Sequence, residues 1–312
     1  MLQIHPLRRC NLRCRHCYSS SGPSESDILP VALLESAIGD AAALGWQYAS
    51  ISGGEPLLYP DLGRLLGQAR DLGLRTAITT NGTLLRRVAP LADRLDFVAL
   101  SLDGLGARHD AMRGWPGAFE ALVRGLPWLR GAGIPFGFLF TLTRDNLHEL
   151  PDVVAFATEH GASVVQIHPL APAGRGALLG LTPDDEDAAR AWLEVWRLRQ
   201  SGEVRIRLPL DFADLERMRA PGTSLPEVLS PLVIEADGTV VPLQHGFPRE
   251  WALGSLHDAG LAELIRRWTR LEAFRALCAI TLQRRAEAAD LPFLDVYQAL
   301  AEAAAQGSAS AA

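Results

Sequence analysis

The sequence predicts an α/β fold, a partial (β/α)6 barrel of the TIM type followed by a small C-terminal α+β unit. Three observations predict it. Short apolar runs alternate with longer amphipathic ones from Ile4 to about His168, the pattern of repeated strand–helix units. Glycines stand just past the helical stretches, at Gly45, Gly73, Gly133 and Gly161, where a left-handed residue ends a helix. The polar and Gly-rich motifs fall after the apolar runs, at the strand ends where such barrels gather their chemistry.

The elements follow in order. Leu2–Pro6 is a first strand, and a cysteine-bearing loop follows it. Pro30, a residue favoured in a first helical turn, opens the helix VALLESAIGDAAALG. Further strands are predicted at Tyr48–Ser52, Thr76–Thr80, Phe97–Leu102, Phe136–Leu142 and Ser163–His168. Helices are predicted at Asp61–Leu72, Leu84–Leu91, Ala118–Gly131 and Leu147–His160. A loop, PLAPAGRGALLG, precedes a helix from about Pro183 to Arg199, and composition shifts again near Ser201. We therefore divide the chain into a barrel over 1–200, a C-terminal unit over 201–300 and a disordered tail over 301–312. Within the second unit, Val233–Val241 reads as a hairpin around Asp237-Gly238, with helices at Leu261–Leu277 and Pro292–Ala305.

Composition limits the function. The 312 residues carry a net charge of −6 and 48% hydrophobic residues, ordinary for a globular protein and without the basic footprint of a nucleic-acid binder. All 30 basic residues are arginine, which excludes lysine nucleophiles and Schiff bases. No apolar run is long enough to span a membrane and no secretory leader is evident, so a cytoplasmic protein is expected. Three of only four cysteines sit in one motif, which argues against a disulfide framework and suits a reducing compartment.

That motif is Cys10-Asn-Leu-Arg-Cys14-Arg-His-Cys17-Tyr18. Three thiolates so close can hold three irons of a cubane cluster and leave a fourth iron open to a ligand. The other reading is a structural zinc site completed by His5 or His16, for which the usual paired C-x2-C halves are missing. The cysteine spacing, followed by Ser52-Gly53-Gly54-Glu55-Pro56, resembles the radical S-adenosylmethionine (SAM) superfamily.

The resemblance implies that Cys10, Cys14 and Cys17 ligate a [4Fe–4S] cluster whose open iron chelates SAM. It implies that His16 stacks on adenine and that Ser52, Gly53, Gly54 and Glu55 receive the methionyl ammonium. Thr80, Asn81, Ser101 and Asp103 would bind ribose and carboxylate, although Asn-Gly and Asp-Gly also mark plain turns. Thr141 and Thr143 at the fifth strand end, with Gln166, His168 and Arg175 around the sixth, are candidates for shaping the substrate side, and Gln166 is a further SAM candidate. Arg113, in His109-Asp110-Ala-Met-Arg113-Gly114, is a candidate either for pairing a carboxylate or for a surface ion pair with Asp110. Glu235–Pro242 and Ala252–His257 resemble the SPASM or twitch domain of peptide- and cofactor-maturing members. Where a cluster cysteine would follow Pro242, the chain has Leu243-Gln244-His245, and its one later cysteine is Cys278.

We therefore expect one cluster and no auxiliary one, with Arg113, His168 and His245 as candidate catalytic residues. The implied reaction is reductive cleavage of SAM and abstraction of a substrate hydrogen, fed by an external donor of the flavodoxin or ferredoxin type. The implied substrate is a ribosomal peptide or small natural product. A decarboxylase or dehydratase of a sugar, nucleoside or tetrapyrrole is the alternative within the class. A non-catalytic cluster-binding scaffold is the alternative outside it.

Overall fold

The computed structural model describes residues 1–201, 206–208, 230–270 and 304. Its frame is a nine-stranded sheet in the order β6-β5-β4-β3-β2-β1-β7-β8-β9. The strands are β1 (Leu2–Ile4), β2 (Tyr48–Ile51), β3 (Arg75–Thr80), β4 (Phe97–Ser101), β5 (Phe136–Leu142), β6 (Val165–Pro169), β7 (Leu232–Ile234), β8 (Thr239–Pro242) and β9 (Gly254–Ser255). The first six are parallel and joined through helices, as βαβ connections require. With β6 at one edge and β9 at the other, the sheet stays open and the barrel is partial.

The helices are α1 (Val31–Ala43), α2 (Leu62–Asp71), α3 (Ala107–Arg113), α4 (Ala118–Gly131), α5 (Leu150–Glu159), α6 (Asp185–Gln200) and α7 (Leu261–Trp268). All four predicted terminating glycines have positive φ, between 67° and 94°. Two predictions need correcting. Leu84–Leu91 forms no α-helix but two 3-10 turns, Leu85–Arg87 and Ala89–Arg94, because Pro90 donates no N–H to a continuous ladder. The helix α3 was not anticipated, since seven residues are too few to show a 3.6-residue period.

Side chains alternate across the sheet. Leu2, Ile4, Ile51, Ile78, Val98, Leu100, Phe138, Val165 and Ile167 are buried in the core shared with the helices. Burying each such side chain stabilises the fold by about 1.5–3 kcal/mol. The opposite face carries Gln3, Ser50, Thr79, Ser101, Thr141, Gln166 and His168, small or polar and only half-buried. Strand register aligns them: Gln3 beside Ser50, Leu139 beside Ser101 and Gln166, Thr141 beside His168.

The C-terminal hairpin joins this same sheet. β7 runs parallel to β1, with Leu2, Gln3 and Ile4 opposite Leu232, Val233 and Ile234. Asp40 of α1 accepts a 2.9 Å hydrogen bond from the Ala262 amide and so holds the first turn of α7. The sequence-based division at residue 200 thus separates segments that share one sheet. Cys278 lies outside the described residues, as do the helix predicted at Pro292–Ala305 and the predicted tail apart from Ala304.

Candidate active site

The cysteine loop leaves the C-terminal end of β1 and is fastened at its base. Cys10 N–H donates to the Gly22 carbonyl at 3.0 Å. The Gly53-Gly54 segment runs against the loop's other side, with Gly54 N–H on the Leu7 carbonyl (2.9 Å) and Glu55 N–H on Arg9 (3.0 Å). A Cβ at Gly54 would sit 2.1 Å from the Arg9 carbonyl oxygen, and one at Gly53, where φ is +99°, 2.8 Å from that of Leu7. The glycines therefore admit the loop backbone as their near neighbour. Gly54→Ala is expected to push the loop off the sheet and abolish iron retention, read as iron content after anaerobic reconstitution.

Glu55, fully buried, ties the ends of β2 and β3 together through three donors. Its Oε1 accepts from Leu57 N–H (3.1 Å) and Thr80 Oγ1 (2.7 Å), and its Oε2 from Asn81 N–H (2.9 Å). Burial raises its carboxyl pKa, and these three donors oppose the rise. Asn81 Nδ2 reaches Asn11 Oδ1 at 2.9 Å and lies 3.7 Å from Cys10 Sγ. Glu55 and Thr80 thus fix the turn that carries Asn81, and the Asn81 amide in turn braces the loop.

Helix α3 clamps the loop from the far side. Arg15 N–H donates to the Met112 carbonyl at 2.9 Å, and a Cβ at Gly114 would meet the Arg13 carbonyl at 2.7 Å. Arg113 is only 6% exposed. Its Nε lies 2.8 Å from Asp103 Oδ2, an ionic contact outside hydrogen-bond angles, and its Nη1 lies 3.8 Å from Cys14 Sγ. Asp103 also faces His16 Nε2 at 3.3 Å. Burial alone would raise the Asp103 pKa, but Arg113 and His16 overcome it and hold the carboxyl well below its usual range. His109, whose Nδ1 accepts from Asp103 N–H at 3.2 Å, has its pKa lowered to about 4 by burial and then by Arg113.

This decides between the two readings of Arg113, which makes no surface pair with Asp110; the Asp110 carboxylate instead caps Gly117 and Phe119 N–H at 2.7 and 2.8 Å. His16 is buried with its Nε2 toward Asp103. In the metal-free chain, Asp103→Asn is expected to cost about 3–5 kcal/mol, the penalty of a buried ion left without its partner. A lower urea midpoint at unchanged slope would check it.

A third clamp comes from Arg175, expected from sequence on the substrate side and found here against the loop backbone. Arg175, in the loop after β6, donates from Nε to the Cys14 carbonyl (2.8 Å) and from Nη2 to that of Ser21 (2.7 Å). The neighbouring Gly174 packs so tightly that a Cβ would lie 2.3 Å from the Tyr18 carbonyl. Its place after the sixth strand marked Arg175 in the sequence, but not its bonds to the loop carbonyls. Of the other candidates, Ser52 takes the Gln3 amide at 3.2 Å, while Ser101, Gln166 and His168 lie along the half-buried polar face. His245 stacks on His5 with ring centroids 4.8 Å apart and meets Tyr18 edge-on at 5.0 Å.

The donor set suits an iron–sulfur cluster. Cys10, Cys14 and Cys17 form one small cluster with Leu12 and carry no disulfide. Each sulfur meets a donor: Leu12 N–H on Cys10 at 3.4 Å, Arg113 near Cys14, and Ser19 Oγ on Cys17 at 3.4 Å. Hydrogen bonds of this kind stabilise and tune cluster thiolates. Without metal, burial pushes the Cys10 thiol up to about 12 and raises Cys14 as well, so a metal must displace the protons. No three His, Cys, Asp or Glu side chains among the described residues converge enough for one metal ion. In a cubane each thiolate binds its own iron and need not meet its fellows. The histidines of the zinc reading are engaged elsewhere, His16 with Asp103 and His5 with Gln3 and His245.

Comparisons with known proteins agree with this geometry. Residues 4–157 match the Radical SAM superfamily. The chain is 36% identical over 176 residues to Fe-coproporphyrin III synthase of Methanosarcina barkeri, covering 54% of this chain and 44% of that protein. It is 37% identical over 174 residues to the mycofactocin maturase MftC of Mycobacterium ulcerans, covering 54% and 46%. The chain thus spans less than half the length of these curated relatives. Among solved structures, anSMEcpe with AdoMet and a bound peptide superimposes with a TM-score of 0.68 at 20% identity, covering 90% of this chain and 83% of that one. That likeness is one of fold. The matched stretch takes in the end of β1, the three-cysteine loop, Glu55, Asn81 and α3, and the chain belongs to the radical SAM superfamily.

Proposed function

We propose that the chain is a radical SAM enzyme that removes a hydrogen atom from a peptide or small natural product. Cys10, Cys14 and Cys17 hold one [4Fe–4S] cluster, and SAM occupies its open iron. When bound, cluster and SAM supply a 5′-deoxyadenosyl radical strong enough to break an unactivated C–H bond. The observation that carries the reading is the loop itself, three donor-served sulfurs clamped between Gly54, α3 and Arg175 at the mouth of an open parallel sheet.

The protein's part is positioning and exclusion of water. Arg113 and Asn81 place N–H groups toward cluster sulfurs, and Asp103 neutralises the guanidinium that does so. The polar face from Gln3 to His168 offers hydrogen-bonding groups to SAM and substrate. Leu243-Gln244-His245 stands where a second cluster's cysteine would follow Pro242, so Cys10, Cys14 and Cys17 would hold the one cluster and an external one-electron donor would reduce it. No helix among the described residues is long and apolar enough to cross a membrane, and we place the enzyme in the reducing cytoplasm.

A peptide substrate is supported by the mycofactocin maturase relative and by the peptide-bound fold neighbour. A tetrapyrrole substrate is the second reading, supported by relatives that include AdoMet-dependent heme synthases. The test is anaerobic reconstitution with iron and sulfide, then dithionite and SAM. Formation of 5′-deoxyadenosine without substrate is expected. A cluster signal that SAM perturbs but that yields none would instead mark a scaffold.

A further inference from the structure

A cavity of about 170 Å³ lies where the end of β1 meets the C-terminal hairpin, and His5, Arg8, Asp27, Glu235, His245 and Arg249 line it. An engineered cavity of about 150 Å³ takes a benzene, so a group of several heavy atoms has room here. Ser19 and Gly53 are also on its wall, which places it beside the cysteine loop.

Two features define what it takes. First, its charges are already matched. Arg8 pairs with Glu25 (2.9 Å) and Asp27 (3.0 Å), and Arg249 pairs with Glu235 and with Asp237 (3.1 Å). A charged ligand would find no free counter-ion among them. Second, two ring nitrogens are unmatched. His5 is 1% exposed, and Nδ1 of both His5 and His245 is buried without a hydrogen-bond partner among the described residues.

The rings' surroundings assign the protons. Burial, and then His245, lowers the His5 pKa; burial also lowers that of His245, so both rings are neutral. Gln3 Nε2, which has no lone pair to offer, lies 3.2 Å from His5 Nε2, so that nitrogen accepts and His5 Nδ1 carries the hydrogen. His245 Nε2 faces Glu235 Oε1 at 3.8 Å, which favours N–H on that side and leaves Nδ1 bare. The pair presents one donor and one acceptor, with the rings stacked 4.8 Å apart. That is the complement of an amide.

We propose that this cavity is a substrate subsite for a neutral amide, its carbonyl held by His5 Nδ1–H and its N–H by His245 Nδ1. The inference rests on the enzyme reading above and names the substrate group that the site recognises. A peptide backbone and an Asn or Gln side chain both carry that group.

Ligand-observed NMR on the reconstituted full chain tests it. The neutral probes are N-acetylglycine N-methylamide and propionamide; propionate and propylammonium are the charged controls. Both neutral probes are expected to bind more tightly than either control. The tighter of the two identifies the source, methylamide for a backbone and propionamide for a side chain. His245→Phe keeps a stacked ring without nitrogens and is expected to weaken neutral-probe binding about tenfold. Charged probes binding as well as the neutral ones, no neutral binding, or no loss in a folded His245→Phe would each overturn the proposal. The wild-type probe comparison stands even if that variant does not fold. SAM cleavage by the wild type without substrate tests the enzyme reading separately, and neither result depends on the other.

Discussion

Cys14→Ala is expected to abolish iron binding and all SAM cleavage while leaving the fold intact. Cys14 is the middle of three anchors and is buried, with Arg113 Nη1 3.8 Å from its sulfur, Arg175 on its carbonyl and α3 across the loop. Two remaining thiolates cannot fix a cube that needs three of its irons held. Alanine fills the small apolar site beside Leu12, and the loop is fastened through backbone atoms that the substitution spares. Anaerobically reconstituted wild type should hold about four irons per chain, whereas the variant should stay colourless with an unchanged far-ultraviolet circular dichroism spectrum. Retention of a brown, oxygen-sensitive chromophore by the variant would remove Cys14 from the ligand set.

Glu55→Ala is expected to unfold the site rather than merely weaken a ligand contact. The substitution strips acceptors from Leu57 N–H, Thr80 Oγ1 and Asn81 N–H in a region closed to water. Each buried donor left without a partner costs about 1–3 kcal/mol, so a loss of about 4 kcal/mol or more is expected. Thermal and urea midpoints of the metal-free chain read it directly. Glu55→Gln separates charge from shape. Its amide retains one carbonyl oxygen and turns an NH2 toward the third donor, so it should fall between wild type and alanine. An alanine variant as stable as wild type would refute the bracing role and return Glu55 to the ligand set.

The same residue shows how much of the site was legible beforehand. Gly-Gly-Glu-Pro after a strand marks a place where backbone comes close to something, and position alone led to the strand end. What the backbone approaches is the Arg9 carbonyl of the cysteine loop, a contact made across forty-five residues of chain. Arg113 was legible as a candidate for pairing a carboxylate, although the helix that carries it was not. Nor was its partner, because Asp103 and Asp110 both lie within reach in sequence, and only the packing of α3 on the loop buries Arg113 beside the former. Arg175 carried still less signal, since its bonds go to carbonyl oxygens that every residue possesses.

The sequence by itself determined the six parallel strands, most of the helices with their glycine stops, and the three-sulfur loop. These are local properties: period, propensity and a spacing that confines three cysteines to one turn of chain whatever surrounds it. Only the tertiary structure decided that the C-terminal hairpin extends the barrel's own sheet beside β1, that Glu55 and Asn81 brace the loop, and that His5 meets His245 over a cavity. A buried charge or ring nitrogen finds its partner through whichever surfaces meet when apolar faces close, and that closure brings together residues hundreds of positions apart, as β1 and β7 are.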